Sequence, residues 1–234
     1  MCILPTSALC NANVVGTNNM NGKPSIRFGH GPKFYVQMKV GFDPRSNIFD
    51  EPDHGKSDAT VLIETASVDV MPHAVYLFLE QVSHGLYDGT AFYINAAHIV
   101  QAGPASRSKF RRYPSLNSVV FQEYAPEMAH KKYTLGYTGR PGGPDFYVNL
   151  RDNSREHGPG GQVHHMSDQV ADADPCFAKI AKGYEVIERI HRSSVQEGGF
   201  HDTMEYPVTI LEMKVLEDGF QVPESSDEEQ VQLL

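Results

Sequence analysis

The sequence predicts a mainly β fold, a closed or nearly closed antiparallel barrel with helices at its ends. Three observations carry that expectation. About seven or eight short stretches with β-branched residues or strict alternation follow one another at close spacing. Only two stretches have the 3.6-residue apolar period of a helix, and they stand far apart in the chain. Strand–helix alternation, the mark of a doubly wound parallel sheet, is missing.

The elements follow in order. KFYVQMKVGF (33–42) places Phe34, Val36, Met38, Val40 and Phe42 on one face and Tyr35, Gln37 and Lys39 on the other, a half-buried strand. ATVLIETASVDVM supplies a second, β-branched strand region. Pro72 then opens a helix, since a first turn has no use for the missing N–H. Val75, Phe78, Leu79 and Val82 form its apolar stripe, and Gly85 is its stop. Asp88-Gly89 marks a turn before the strands of AFYINAAHIVQAG, joined by the uncharged linker Asn95-Ala96-Ala97. A basic, loop-rich stretch containing RSKFRRYP follows and reads as a solvated surface. KYTLGYTG and DFYVNL are strands separated by the turn RPGGP, and CFAKI is another after a long polar insertion. GYEVIERIHR is the second helix, with Tyr184, Ile187 and Ile190 aligned, and YPVTILEMKVL is the last strand. The domain is thus expected over 33–217, with insertions near 104–120 and 151–173. A leader rich in Asn and Gly (1–32) precedes it, and an acidic tail read as disordered (218–234) follows.

Composition narrows function. The chain of 234 residues suits one large domain or two small ones, and its formal net charge of −9 argues against nucleic acid and anionic membranes as partners. No apolar run approaches the roughly 18 residues of a membrane span. Cys2, Cys10 and Cys176 have no disulfide-framework or zinc spacing, and no glycosylation sequon occurs. Both facts favour a reducing compartment, hence the cytoplasm. The opening MCILPTSALC leaves two other readings open, a weak signal peptide or the scar of a trimmed secretory or anchored precursor. His157, His164, His165 and Asp168 share one insertion, but without established ligand spacing, so no metal and no other cofactor is expected. A monomer is expected.

Five segments together resemble the cyclophilin-type peptidyl-prolyl isomerases over about residues 33–217. MPHAVYLFLEQVSHGLYDGTAF is similar to the family's strand-to-helix stretch with its Y-[DK]-G-[TS]-x-F turn. AFYINAAHIVQAG is similar to F-H-R-V-I-x-G-F-x-x-Q-G-G, FQEYAPEMAHKKYTLGYTG to the segment ending L-S-M-A-N, GGPDFYVNL to G-S-Q-F-F-I, and CFAKIAKGYEVIERI to V-F-G-K-V-x-x-G. The resemblance implies an eight-stranded antiparallel barrel capped by two helices, and a groove for proline-containing segments of peptides or proteins.

Isomerising an X–Pro bond crosses a barrier of about 18–20 kcal/mol without a covalent intermediate. A catalyst therefore holds the ring in an apolar pocket and aims a fixed donor at the twisted amide. In this family the donor is the arginine of F-H-R. Here its position falls on Ile94, or on Asn95 if the one-residue gap is placed earlier, and neither supplies a guanidinium. By the same resemblance Gln101 matches the carbonyl-anchoring glutamine, His98 and Ile99 the first pocket Phe and the Met, and Tyr147 the second Phe. Asp145 replaces another glutamine. Thr138 and Gly139 stand where the backbone of Ala-Asn pairs with the peptide. The chain has no Trp, so the rim Trp is lost. The rim His falls among Asp172, Ala173, Asp174 and Pro175, though His164 or His165 could fold back to replace it.

Taken as residues alone, Gln101 could equally satisfy a barrel backbone group, His98 a rim, and Tyr147 a core. Three functions are consistent with this pattern. The first is a peptide-binding module with isomerase activity weak or absent, a pseudoenzyme. The second is a working isomerase for protein folding with a substitute donor such as Arg140 or an arginine of 107–112. The third is a structural or assembly role.

Overall fold

Alternation along the first strand sets the architecture. In β1 (Tyr35–Gly41) Val36, Met38 and Val40 are fully buried while Gln37 and Lys39 face solvent, so one face of the sheet must close on a core. The computed structural model describes residues 32–46, 57–103, 109–161, 172–196 and 202–216. The other strands are β2 (Asp58–Thr65), β3 (Ala91–Asn95), β4 (Ile99–Gly103), β5 (Thr134–Tyr137), β6 (Phe146–Asn149), β7 (Cys176–Lys182) and β8 (Thr203–Val215). They pair in the order β1-β2-β7-β5-β6-β4-β3-β8, and β8 returns to β1 to close the barrel. Every neighbouring pair is antiparallel. Closure leaves no sheet edge to protect. The barrel interior holds Met38, Ile63, Phe92, Phe146 and Phe177.

Helix α1 (Pro72–Ser83) buries Ala74, Val75, Leu77, Phe78, Gln81 and Val82 and packs against β7 and β8. Its stripe differs from the expected one in two places. Leu79 is only partly buried, and a polar residue, Gln81, is fully enclosed. Gln81 is tolerated because its amide is satisfied. Its Nε2 donates to the Leu116 carbonyl (2.7 Å), and its Oε1 lies 2.6 Å from the Tyr137 hydroxyl and 2.7 Å from that of Tyr87. Gly85 takes the left-handed conformation (φ 60°) just past the helix, and Gly89 does so in the following turn (φ 77°), as the sequence requires.

Helix α3 (Tyr184–His191) buries Val186, Ile187, Arg189 and Ile190, while Tyr184 is 42% exposed. Its expected membership of the apolar stripe fails because it occupies the first helical position, where it packs on Tyr133 (4.7 Å between centroids) instead of the barrel. Among the described residues, a single-turn helix α2 (Ser154–His157) and three 3-10 turns supplement the two long helices. Two of those turns lie in the basic stretch, where Phe110 is fully buried and Lys109 Nζ donates to the carbonyls of Gly85 (3.0 Å) and Asp88 (2.6 Å). Part of that stretch therefore staples the end of α1 and does not simply lie in solvent. Residues 1–31 of the expected leader and all of the expected tail (218–234) lie outside the described residues, as do 104–108 and 162–171.

Candidate functional site

On the outer face of the barrel, β3 and β4 form a hairpin whose residues line a cleft of about 540 Å3. Strict alternation along β3 would bury Phe92 and Ile94 and expose Tyr93 and Asn95. A register shift between Phe92 and Ile94 breaks that parity, as an extra residue in one strand does. Phe92 stays in the core, and Tyr93 and Ile94 both reach the cleft. Asn95 turns under the end of α3. Its Nδ2 donates to the carbonyls of His191 (2.8 Å) and Ser193 (2.7 Å), so its Oδ1 must accept from His191 Nδ1 (2.7 Å). Of the two candidates for the donor position, Ile94 stands in the cleft and Asn95 is fully engaged elsewhere.

The tight turn that follows explains the uncharged linker. Ala96 N–H donates to the Ile99 carbonyl (3.0 Å), and Ala96, Ile99 and Tyr147 pack together as a small apolar cluster with Ile94 against it. A charge at Ala96 would be desolvated without a partner, whereas Ala97 is exposed and not so constrained. The His98 carbonyl accepts from Leu150 N–H (2.9 Å) and from Asn153 Nδ2 (2.9 Å), which ties the hairpin tip to the start of α2. His98 lines the cleft, and its ring stacks on that of His157 (centroids 5.7 Å, 17° between planes). Burial, then the neighbouring His157 and Arg151, hold its pKa below the ordinary histidine value.

Gln101 also lines the cleft, and its Nε2 donates to the Tyr93 hydroxyl (2.6 Å), which donates to Asp145 Oδ2 (2.9 Å). Asp145 does not line the cleft and reaches it through Tyr93. Asp202 and Thr203, from the start of β8, complete the rim.

Tyr147 lies beneath this surface, almost fully buried. Its ring crosses Gly136, where a Cβ would come within 2.6 Å of the phenol, so glycine is the residue that admits it. Its hydroxyl donates to Asp174 Oδ2 (3.0 Å), which also receives His157 Nδ1 (2.7 Å), while Oδ1 receives Arg140 Nε (3.1 Å). His130 Nε2 donates to the Asp174 carbonyl (3.0 Å), and its Nδ1 lies 3.3 Å from the Tyr147 hydroxyl. Burial and then the neighbouring His157 push the His130 pKa down to about 4. Burial and the nearby Asp174 push the Tyr147 phenol well above its ordinary value. Cys176, beside this cluster, is a free thiol raised to about 12 by burial.

The structure thus divides the residues expected from sequence. Ile94, His98, Ile99 and Gln101 meet at the cleft, and Tyr147 floors it from below. Thr138 and Gly139 do not line it. The Thr138 N–H donates to the Asp145 carbonyl (2.9 Å) and its carbonyl accepts Gly143 N–H (2.9 Å), so both groups close their own turn. The Arg140 side chain is 4% exposed against Asp174. Of the four residues matched to the rim histidine, Asp174 is buried beneath the cleft and does not line it, and His157 packs on the Tyr147 ring (4.6 Å between centroids). His164, His165 and Asp168 lie outside the described residues. Sequence reasoning missed Tyr93, Asp174 and Asp202 as parts of the site. The first two were legible only as mismatches to a motif, and Asp202 carried no signal at all.

Residues 62–215 match the family model for cyclophilin type peptidyl-prolyl cis-trans isomerase. No curated protein matches the chain. Among solved structures, a Cryptosporidium parvum cyclophilin type peptidyl-prolyl cis-trans isomerase matches with TM-score 0.54 at 13% identity, over 79% of this chain and 99% of that one. The same isomerase in the presence of the dipeptide Ala-Pro matches with TM-score 0.53 at 13% identity, over 77% and 99%. With the family model spanning most of the barrel that carries this cleft, the chain belongs to the cyclophilin-type peptidyl-prolyl cis-trans isomerase family.

Proposed function

We propose that this domain binds proline-containing peptide or protein segments in the Ile94–Gln101 cleft, with isomerase turnover weak or absent. One observation carries the reading: Ile94, one of the two residues matched to the motif's arginine, lines the cleft and supplies no guanidinium. A sec-butyl group can pack on a proline ring but cannot stabilise a twisted amide. Removing a preorganised donor costs about 2.7–4 kcal/mol in comparable sites, a hundred- to a thousandfold in rate. Arg140 is a poor substitute, since moving its guanidinium into the cleft would strip Asp174 of its partner in a buried site. The apolar floor of Ala96, Ile99 and Tyr147 supports ring binding, and the Ala-Pro dipeptide accompanying a structural neighbour agrees with this ligand class.

The test is NMR exchange spectroscopy on a short X-Pro peptide with the wild type and Ile94→Arg. The wild type is expected near the uncatalysed rate, with the arginine variant clearly above it. Rapid turnover by the wild type would overturn the reading.

A further inference from the structure

The polar side of the cleft can be worked out from proton counting. The Tyr93 hydroxyl has a single proton, and at 2.9 Å it goes to Asp145 Oδ2, because a carboxylate only accepts. Gln101, 2.6 Å from the same hydroxyl, must then present its NH2 group to Tyr93. The other prong of its amide, the acceptor Oε1, is turned away from Tyr93. Asp202 adds an exposed carboxylate on the rim. No lysine or arginine lines the cleft among the described residues. Burial and then His157 lower the pKa of His98. The charged groups that act on His98 are Arg151, Glu156 and Asp202. Arg151 is itself engaged, with Nε donating to Asn153 (3.2 Å) and Nη2 lying 3.7 Å from Glu156. The cleft is therefore an apolar floor with one carboxylate and no lysine or arginine among its described lining residues, on a chain of net charge −9.

We infer that the cleft selects proline-containing segments carrying a lysine or arginine beside the proline, with Asp202 as the residue that sets this preference. The inference rests on the proposed function above and adds a chemical class to its ligand. A site that anchors a ligand carbonyl needs a donor aimed at it. Here Ile94 supplies no donor, and Tyr93 takes one of the two N–H groups of the Gln101 amide. A flanking ammonium or guanidinium meets Asp202 in a charge-assisted contact, and an acidic flank meets repulsion, so attraction and exclusion act together. An exposed pair of this kind changes affinity by roughly two- to fivefold.

The experiment is fluorescence anisotropy on the full chain with labelled proline hexapeptides that differ only in one flanking residue, Lys, Gln or Glu. It is run at about 0.01 M and about 1 M salt, where the screening length falls from about 30 to about 3 Å. Expected is the order Lys tighter than Gln tighter than Glu, by roughly two- to fivefold per step, collapsing at high salt. Asp202→Asn should narrow the spread and Asp202→Lys should reverse the order. Equal binding of all three peptides, or an order unmoved by Asp202→Lys, overturns the selectivity while leaving proline binding standing. Absence of saturable binding by every peptide overturns both.

Discussion

Asp174 is the residue on which the interior of the site turns. Its carboxylate receives the Tyr147 hydroxyl, His157 Nδ1 and Arg140 Nε, and its own side chain is 4% exposed. Among the described residues, Arg140 Nη1 and Nη2 are buried without hydrogen-bond partners, so Asp174 is the anion that makes this guanidinium tolerable. Asp174→Asn keeps the shape and removes the charge. It should destabilise the fold by about 3–5 kcal/mol, the cost of leaving a buried charge uncompensated. Urea unfolding measures this, and pairing the change with Arg140→Met should recover much of the loss. A loss under about 1 kcal/mol in the single variant would show that the guanidinium is not sequestered as described.

Among the elements, α1 shows how a distant residue completes a local structure. The helix has Met71 before its first turn and no side-chain cap of its own. Glu123 supplies the missing acceptors from the loop that follows β4, with Oε1 receiving His73 N–H (3.1 Å) and Oε2 receiving Ala74 N–H (2.7 Å). Its negative charge also lies at the positive end of the helix dipole. Glu123→Ala should cost about 1 kcal/mol, within the 0.5–2 kcal/mol range of lost caps, and Glu123→Gln less. Thermal unfolding of the two variants gives the comparison, and equal stability of Glu123→Ala and wild type would remove the cap. The β3 element makes the converse point. Its residue types predict a strand, yet the shift at Tyr93 that sends Ile94 outward depends on how β4 and β8 pair on either side of it.

For the whole molecule, the buried histidines set the acid limit of stability. His130 titrates near 4 in the fold against an ordinary 6.5, so the unfolded chain takes up the proton first. Its contribution is complete above about pH 6.5 and is lost as pH falls toward 4, about 3 kcal/mol in all. His98 is shifted in the same direction and adds with the same sign. Urea unfolding at pH 7 and pH 5 should show a drop of about 2 kcal/mol from His130 that the His130→Gln variant lacks. A variant with the wild-type pH slope would mean that His130 is already protonated in the fold.

The alternation of apolar residues determined the β class, the strands and both long helices, because burial on one face is written into a chain with the period of its element. The motif segments likewise marked Ile94, His98, Ile99, Gln101 and Tyr147 as neighbours before any geometry was known. Tertiary structure alone set Ile94 in the cleft and drew the Asn95 side chain away, through hydrogen bonds from Asn95 to His191 and Ser193, nearly a hundred residues away. It alone enclosed Arg140 with Asp174, turned Gln101 by way of Tyr93 and brought Asp202 to the rim. The physical reason is the same in each case. Periodicity reports which face of a strand meets the core, whereas the direction of a polar side chain is decided by whichever partner satisfies its hydrogen bonds once distant strands are brought together.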